Sequence, residues 1–399
     1  MTAETALGDC GRKPVSAERD KSNMKNFVYY VLITLFFVTL FSCTRQELPQ
    51  KSVNQAMAAD SGQTALDSLQ IKTATRLDSF FSAKYQRNNF NGAVLFAQKG
   101  KVVFKKAYGF ANYRKKDSLT TRSIFQLASV SKPLTAYAVM LLKQNGKLDY
   151  EDEVGKYIAD FPYPGITIRM LLTHRSGLPN YMYFADRFWH SRRKPIFNRD
   201  VVDLMIRHKP LHYYKPNVRY NYCNTNYALL ALIIEKVSGK SYENFMKEEV
   251  FQPLEMFDSV VYRNGEIRNG DGVTGYDRRG RVAENSYLNG VVGDKGIYSS
   301  VEDLFKWDQA MYQGSLVRHE TLAEAFVPAH PDLRDYDNYG FGWRIDASDS
   351  QNKVVYHSGW WKGFRSYFIR KLGEQKTIII LTNHIRRSQV GIRFLRSLF

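Results

Sequence analysis

Ser129-Val130-Ser131-Lys132 sets a hydroxyl and an amine three residues apart. On a helix such positions share one face, about 4.5 Å apart along the axis, so the amine can help to deprotonate the hydroxyl. The same spacing occurs at Ser22, Ser191 and Ser350, and context separates the copies. Only the copy at Ser129 follows an apolar run, residues 124–128, and opens a strong helical stretch with Pro133 in the first turn and Gly146 as its stop. At a helix N-terminus, free amides and the positive end of the dipole favour an oxyanion. The plain alternative is that Ser129 serves only as an N-cap.

Tyr222-Cys223-Asn224 precedes Thr225-Asn226-Tyr227-Ala228-Leu229-Leu230, where a loop passes into a buried helix. From a turn, a Tyr and an Asn with one residue between them can point into the same cleft. Tyr-x-Asn recurs at Tyr242, Tyr262, Tyr287 and Tyr336, and Tyr220 is a rival phenol two residues earlier. The third segment, His357-Ser358-Gly359, ends a strand-like run and is followed by Trp360-Trp361-Lys362-Gly363-Phe364. A glycine at a strand edge lets a substrate approach the backbone closely.

These segments need a frame. Leu66, Leu69, Leu77, Phe80, Phe81 and Tyr85 recur at near-helical spacing. Ala93-Val94-Leu95-Phe96-Ala97, the Lys99-Gly100 turn and Val102-Val103-Phe104 then read as a β-hairpin. Residues 126–281 are mostly helical in pattern, with clear helices at 226–237, closed by Gly239, and at 242–250. Beyond Gly296 a helix at 301–312 leads into strand-like runs at 341–345, 354–357, 366–370 and 377–382, followed by a C-terminal helix. Strands at both ends with helices between them predict an α/β (α+β) fold. Its antiparallel sheet is completed by both termini, with flanking helices and a mainly helical insertion. The sheet region is expected at 64–122 and 285–399, and the helical region at 123–284.

Length and composition narrow the function. At roughly 150 residues per domain, 399 residues make two to three domains or one large domain with insertions. With 44% apolar and 14% aromatic residues, a collagen-like, low-complexity or disordered chain is excluded. Cys10, Cys43 and Cys223 are too few and too scattered for a disulfide framework or a Cys-built zinc site, and no His-Glu-x-x-His occurs, so no metal is expected. The net charge of +18 is spread along the chain without a nucleic-acid-binding pattern, so nucleic acid is not an expected partner.

Residues 27–41 are apolar or Thr without interruption, after Lys25 and before Ser42. At about 15 residues the run falls short of the roughly 20 a spanning helix needs, and it reads as the core of a secretory signal. Leu40-Phe41-Ser42-Cys43 is similar to a bacterial lipoprotein box, which makes Cys43 a lipidation site, although Phe41 is bulkier than such boxes usually carry; an uncleaved anchor is the alternative. Met24 makes a better signal start than Met1. Residues 1–42 are therefore expected to be an over-long start plus signal peptide, 43–63 a polar tether and 64–399 the catalytic domain.

In that order, Ser-x-x-Lys, Tyr-x-Asn and His-x-Gly resemble the three motifs of the penicillin-recognising serine hydrolases, in the branch of class C β-lactamases, low-molecular-weight D,D-peptidases and related esterases. Leu171-Leu172-Thr173-His174-Arg175-Ser176-Gly177-Leu178-Pro179, Gly293-Asp294-Lys295-Gly296-Ile297-Tyr298-Ser299-Ser300 and Gly340-Phe341-Gly342-Trp343 also resemble stretches of that branch. The likeness runs from about Phe90 to Leu381.

The resemblance implies that Ser129 attacks a carbonyl and forms an acyl-enzyme, that Lys132 and Tyr222 relay protons, and that Asn224 donates its amide to the substrate. It implies an oxyanion hole from the backbone amides of Ser129 and Trp360, with His357, Ser358 and Gly359 along the substrate, and no cofactor. His357 stands where β-lactamases of this branch usually carry Lys, so β-lactamase activity is expected to be weak. An imidazole touching an anionic substrate would make KM rise as pH passes from about 6 to 8; the alternative is that His357 only orders the strand edge by hydrogen bonding.

The chain thus reads as an exported, lipid-anchored serine hydrolase of the bacterial cell envelope, acting on an ester or a D-amino-acid-type amide, small or peptidoglycan-derived. The rival is a catalytically silent binding lipoprotein that kept the cleft. An α/β-hydrolase fails because no Gly-x-Ser-x-Gly elbow occurs. His174 reads as a core or capping residue and Cys223 as a packing residue. Residues 184–194 and 384–399 read as solvated basic surfaces, or else as surfaces resting on anionic lipid or glycan.

Overall fold

A computed structural model of the chain describes residues 66–262, 272–330, 333–334, 337–388 and 390. The expected signal segment, the tether, Cys43 and most of the expected C-terminal helix lie outside the described residues. The compact unit that carries the three motifs begins at Ala65.

Helix α1 (Ser68–Gln86) starts at a capping box, in which the Asp67 side chain accepts from the Gln70 amide and the Gln70 side chain accepts from the Asp67 amide. Its buried face is Gln70, Ala74, Leu77 and Phe81. That corrects the face read from spacing: Leu69 is 66% exposed, because a stripe centred on Leu77 and Phe81 turns it outward. Strands β1 (Gly92–Gln98) and β2 (Lys101–Tyr108) form the expected hairpin. Next come β3 (Phe110–Asn112) and β4 (Asp117–Ser118), a short ladder. Then β5 (Phe125–Gln126), β6 (Val260–Val261) and β7 (Ile297–Ser299) form a three-stranded sheet in the order β5-β7-β6.

The chain returns through β8 (Asn338–Tyr339), β9 (Arg344–Asp346), β10 (Val354–Trp361), β11 (Phe364–Lys371) and β12 (Lys376–Thr382). Together with the hairpin these make a seven-stranded antiparallel sheet in the order β2-β1-β12-β11-β10-β9-β8. β1 and β12, from the two ends of the described chain, lie side by side with Gly92 opposite Thr382. Both are continuously apolar because both faces of the sheet are covered. Val94, Phe96, Ile378 and Ile380 pack with Leu77 and Phe81 of α1, whereas Ala93, Leu95, Ile379 and Leu381 join the larger core on the opposite face.

Helices α2 (Ser131–Gln144), α3 (Tyr181–Phe188), α4 (Asn198–His208) and α5 (Asn224–Ser238) fill the region between the strands, and α6 (Val301–Gln313) follows β7. α6 is tied to the sheet by Arg370, whose Nε donates to Asp308 Oδ1 at 2.7 Å with both side chains buried, and by Thr377, which donates to the same oxygen at 2.9 Å. Two elements differ from the sequence reading. The helix expected at 242–250 is α-helical only over Tyr242–Phe245 and continues as a π-helical turn, Met246–Phe251. The strand expected from residue 341 begins at Arg344, because Gly342 turns the chain at φ +80 with its Cα side pressed on α2; a Cβ there would lie 2.9 Å from Pro133 Cα.

Candidate active site

Ser129 lies in a 3₁₀ turn, Ala128–Val130, that runs directly into α2. The turn is held from two sides. Leu127 donates its amide to the Ile297 carbonyl at 2.9 Å, continuing the pairing of β5 with β7, and its own carbonyl accepts from Ser366 Oγ at 2.5 Å. Between these anchors Ala128 is at φ +49, a conformation a non-glycine residue adopts only under constraint. The N-cap positions of the turn and of α2 carry no side-chain cap bond. Ser129 is thus not a cap, and its Oγ accepts from Lys132 Nζ at 3.1 Å. The neighbouring serines are occupied: Ser131 Oγ accepts from the Ile297 amide at 3.2 Å, and Ser176 Oγ donates to Asn226 Oδ1 at 2.6 Å.

Lys132, one turn into the same helical run, is fully buried. Its ammonium also donates to Asn224 Oδ1 at 2.8 Å and to the Asp294 carbonyl at 2.9 Å, so all three protons have acceptors. Burial pulls its pKa down from 10.5 to about 8, against an upward pull from Asp294. Tyr222 completes the group. Lys132 Nζ lies 4.9 Å from the centroid of its ring. Burial raises the phenol pKa, while a hydrogen bond from Ser129 and the charge of Arg344 oppose that rise. In the resting site the readier base is the lysine amine, and the phenol keeps its proton. Tyr220, the rival, packs on His330 and Tyr339 instead, with a buried hydroxyl. Asn224, the first residue of α5, donates its amide to Met182 Sδ at 3.1 Å.

Strand β10 forms the opposite wall. It pairs with β11 along its whole length but with β9 only over Val354, Val355 and Tyr356. One edge of the segment from His357 to Trp361 therefore has no strand partner among the described residues. Ser358 and Trp360 are exposed there. Gly359 is pressed on the nucleophile turn: a Cβ would lie 2.2 Å from the Leu127 carbonyl oxygen and 3.0 Å from the Ser129 nitrogen. Any side chain would push the strand away from Ser129.

His357 is 2% exposed. Its Nδ1 meets the Ser358 carbonyl at 2.9 Å and its Nε2 meets the Tyr339 hydroxyl at 3.2 Å. Burial, together with the charges of Lys132 and Arg344, holds its pKa well below 6.5. The ring is neutral at ordinary pH and ties β10 to β8. The expectation of an imidazolium lost between about pH 6 and 8 is corrected on that ground. His174 is likewise a core residue; its Nδ1 accepts from the Cys223 amide at 3.3 Å, behind the Tyr222 ring.

Sequence reasoning gave no role to Asp294, Lys295 or Arg344. Asp294 is buried behind Lys132; its Oδ2 accepts from Tyr181 at 3.0 Å and its Oδ1 lies 3.5 Å from Lys295 Nζ. Lys295, also buried, donates to Tyr181 and to the Val291 carbonyl, and burial lowers its pKa to about 8. Against burial, the Asp294 charge thus raises the pKa of both buried lysines, although only Lys295 faces the carboxylate and Lys132 bonds to the backbone carbonyl. The available signal was a pair of charged residues between two glycines inside an apolar stretch. Gly293 is fixed at φ +95 against the Tyr227 carbonyl, where a Cβ would lie 2.3 Å away. Arg344, at the start of β9, sets its guanidinium 5.7 Å from the Tyr222 ring centroid. Nearby, Tyr287 donates to Asp186 of α3 at 2.5 Å, and Trp361 donates to Asn289 at 2.6 Å.

A family profile described as Beta-lactamase matches residues 77–390. Over 321 residues the chain is 37% identical to a penicillin-binding protein of Bacillus subtilis (strain 168), spanning 77% of this chain and 71% of that protein. An octameric penicillin-binding protein homologue from Pyrococcus abyssi has a TM-score of 0.69 at 27% identity, covering 81% of this chain and 77% of that one. A D-amino acid amidase from Ochrobactrum anthropi SV3 shares the fold at 21% identity, with a TM-score of 0.66 over 78% of this chain and 90% of that one. The mixed fold expected from the order of strands and helices is the one found in these structures. The chain belongs to the β-lactamase family of serine hydrolases.

Proposed function

We propose that this serine hydrolase cleaves an uncharged ester or a D-amino-acid-type amide through an acyl-enzyme on Ser129, in the cell envelope. The observation that carries the reading is the contact between Lys132 Nζ and Ser129 Oγ at 3.1 Å, made by a lysine whose burial brings its pKa to about 8. Neutral Lys132 takes the Ser129 proton as Oγ attacks the carbonyl carbon. The oxyanion is received by the backbone amides of Ser129 and Trp360. The proton returns through Tyr222 to the leaving oxygen or nitrogen, whose bond to the acyl carbon breaks. Water then attacks the ester on Ser129 by the same relay in reverse, restoring the hydroxyl. Asn224 Nδ2 exchanges Met182 sulfur, a weak acceptor, for a substrate oxygen.

The buried, neutral His357 supports the preference for uncharged substrates, since it offers no fixed cation to a carboxylate. Short-chain aryl esters should be hydrolysed measurably, and penicillins and cephalosporins slowly or negligibly. KM for an anionic substrate should show no step near pH 6.5, because His357 loses no imidazolium there. Steady-state kinetics on both substrate types checks this. Efficient cephalosporin turnover would overturn the substrate assignment and leave the Ser129 chemistry standing.

Export and anchoring belong to the same reading, supported by the apolar run at 27–41 and by Leu40-Phe41-Ser42-Cys43. The mature chain then starts at a lipidated Cys43. Metabolic labelling with a palmitate analogue should be lost in Cys43→Ala; an unlabelled, soluble wild type would contradict it.

A further inference from the structure

Away from the motifs, the end of α1 and two loops bring arginines together around a cavity of about 290 Å³. Its walls include Arg87, Arg278, Arg279, His384, Arg386 and Arg387. That volume is close to the roughly 300 Å³ at the lower end of small-ligand sites. Among the described residues none of the five arginines has a carboxylate within ion-pair distance. Asp277, whose charge acts on His384, is taken up by Arg281, which donates to it from Nε, Nη2 and its backbone amide, and by the Arg279 amide.

The floor is built rather than incidental. His384 is only 4% exposed, stacks on Tyr276 and meets Tyr113 edge-on. Its Nδ1 is buried without a hydrogen-bonding neighbour. Arg387 is aimed by Tyr113, donating to its hydroxyl at 2.7 Å with the guanidinium 5.0 Å from the ring centroid. Five arginines lining one cavity, with no carboxylate partner among the described residues, above a buried imidazole, fit a compact polyanion, because several charge-assisted forks can meet the oxygens of one group.

We infer that this cavity is a binding site for a phosphate-bearing anion, separate from the acyl-transfer site. The electrostatics agree. Burial and the charges of Arg387 and Arg386 hold the His384 pKa down to about 4, against a weaker upward pull from Asp277. A bound phosphate group would reverse the local sign and raise it.

The test uses the full-length protein and two probes, inorganic pyrophosphate by calorimetry and vesicles with or without phosphatidylglycerol by sedimentation. Arg278→Glu/Arg279→Glu changes two exposed side chains and should weaken pyrophosphate binding at least about tenfold, the scale of losing charge-assisted hydrogen bonds. Lys236→Glu/Lys247→Glu makes the same charge change elsewhere and should leave binding within about twofold. His384 should titrate higher in the pyrophosphate complex, by histidine NMR. Vesicle binding that falls only in the arginine variant identifies a lipid headgroup as the source; pyrophosphate binding without it identifies a soluble phosphate. Absence of binding to both probes, or equal losses in the two variants, would overturn the site.

Discussion

Ser129→Ala should reduce ester turnover to at most about one ten-thousandth of wild type while the protein stays folded. The two halves of that expectation rest on different features. Chemistry stops because the neighbouring serines already hold structural hydrogen bonds, Ser131 with the Ile297 amide and Ser176 with Asn226, and cannot take over. The fold survives because Ser129 caps no helix, and Lys132 keeps Asn224 Oδ1 and the Asp294 carbonyl as acceptors once the hydroxyl is gone. The stability cost should stay within about 1.5 kcal/mol, the net worth of one hydrogen bond. Thermal unfolding alongside steady-state kinetics checks both. Turnover above about one hundredth of wild type in a folded variant would move the nucleophile elsewhere.

Lys132→Ala and Tyr222→Phe should each cost roughly 10²–10⁴-fold in kcat/KM, the range of general acid–base catalysis. Because the two side chains flank the same hydroxyl, the double variant should be little worse than the worse single one. The pH profile separates them. The active form of Lys132 is the neutral amine, so wild-type kcat/KM should rise with pH through about 8 and fall away below it. That limb should survive in Tyr222→Phe and vanish in Lys132→Ala. Fully multiplicative losses, or a limb that persists without Lys132, would contradict the shared relay.

The sheet was legible because its strands announce themselves. β1 and β12 are continuous apolar runs of a strand buried on both faces, and the hairpin turn is marked by Lys99-Gly100. Ser129, Lys132, Tyr222 and Asn224 were legible from residue type and spacing, helped by a family likeness, and the structure brings them around one ammonium. The rest depended on tertiary context that local pattern does not carry. Nothing in His-Ser-Gly says that Tyr339, eighteen residues earlier, will cover the imidazole and keep it neutral. Asp294 and Lys295 look like a surface pair until α3 brings Tyr181 over them. The outward turn of Leu69 shows the same limit on a helix, where near-periodic apolar residues leave the buried face open by one position.

The central claim is that Ser129 is an activated nucleophile. Intact-mass measurement of the wild type after exposure to a fluorophosphonate at about pH 8, where Lys132 is half neutral, tests it most directly. The account predicts a single adduct, which peptide mapping places on Ser129. An unmodified protein, or an adduct on any other serine, would contradict it.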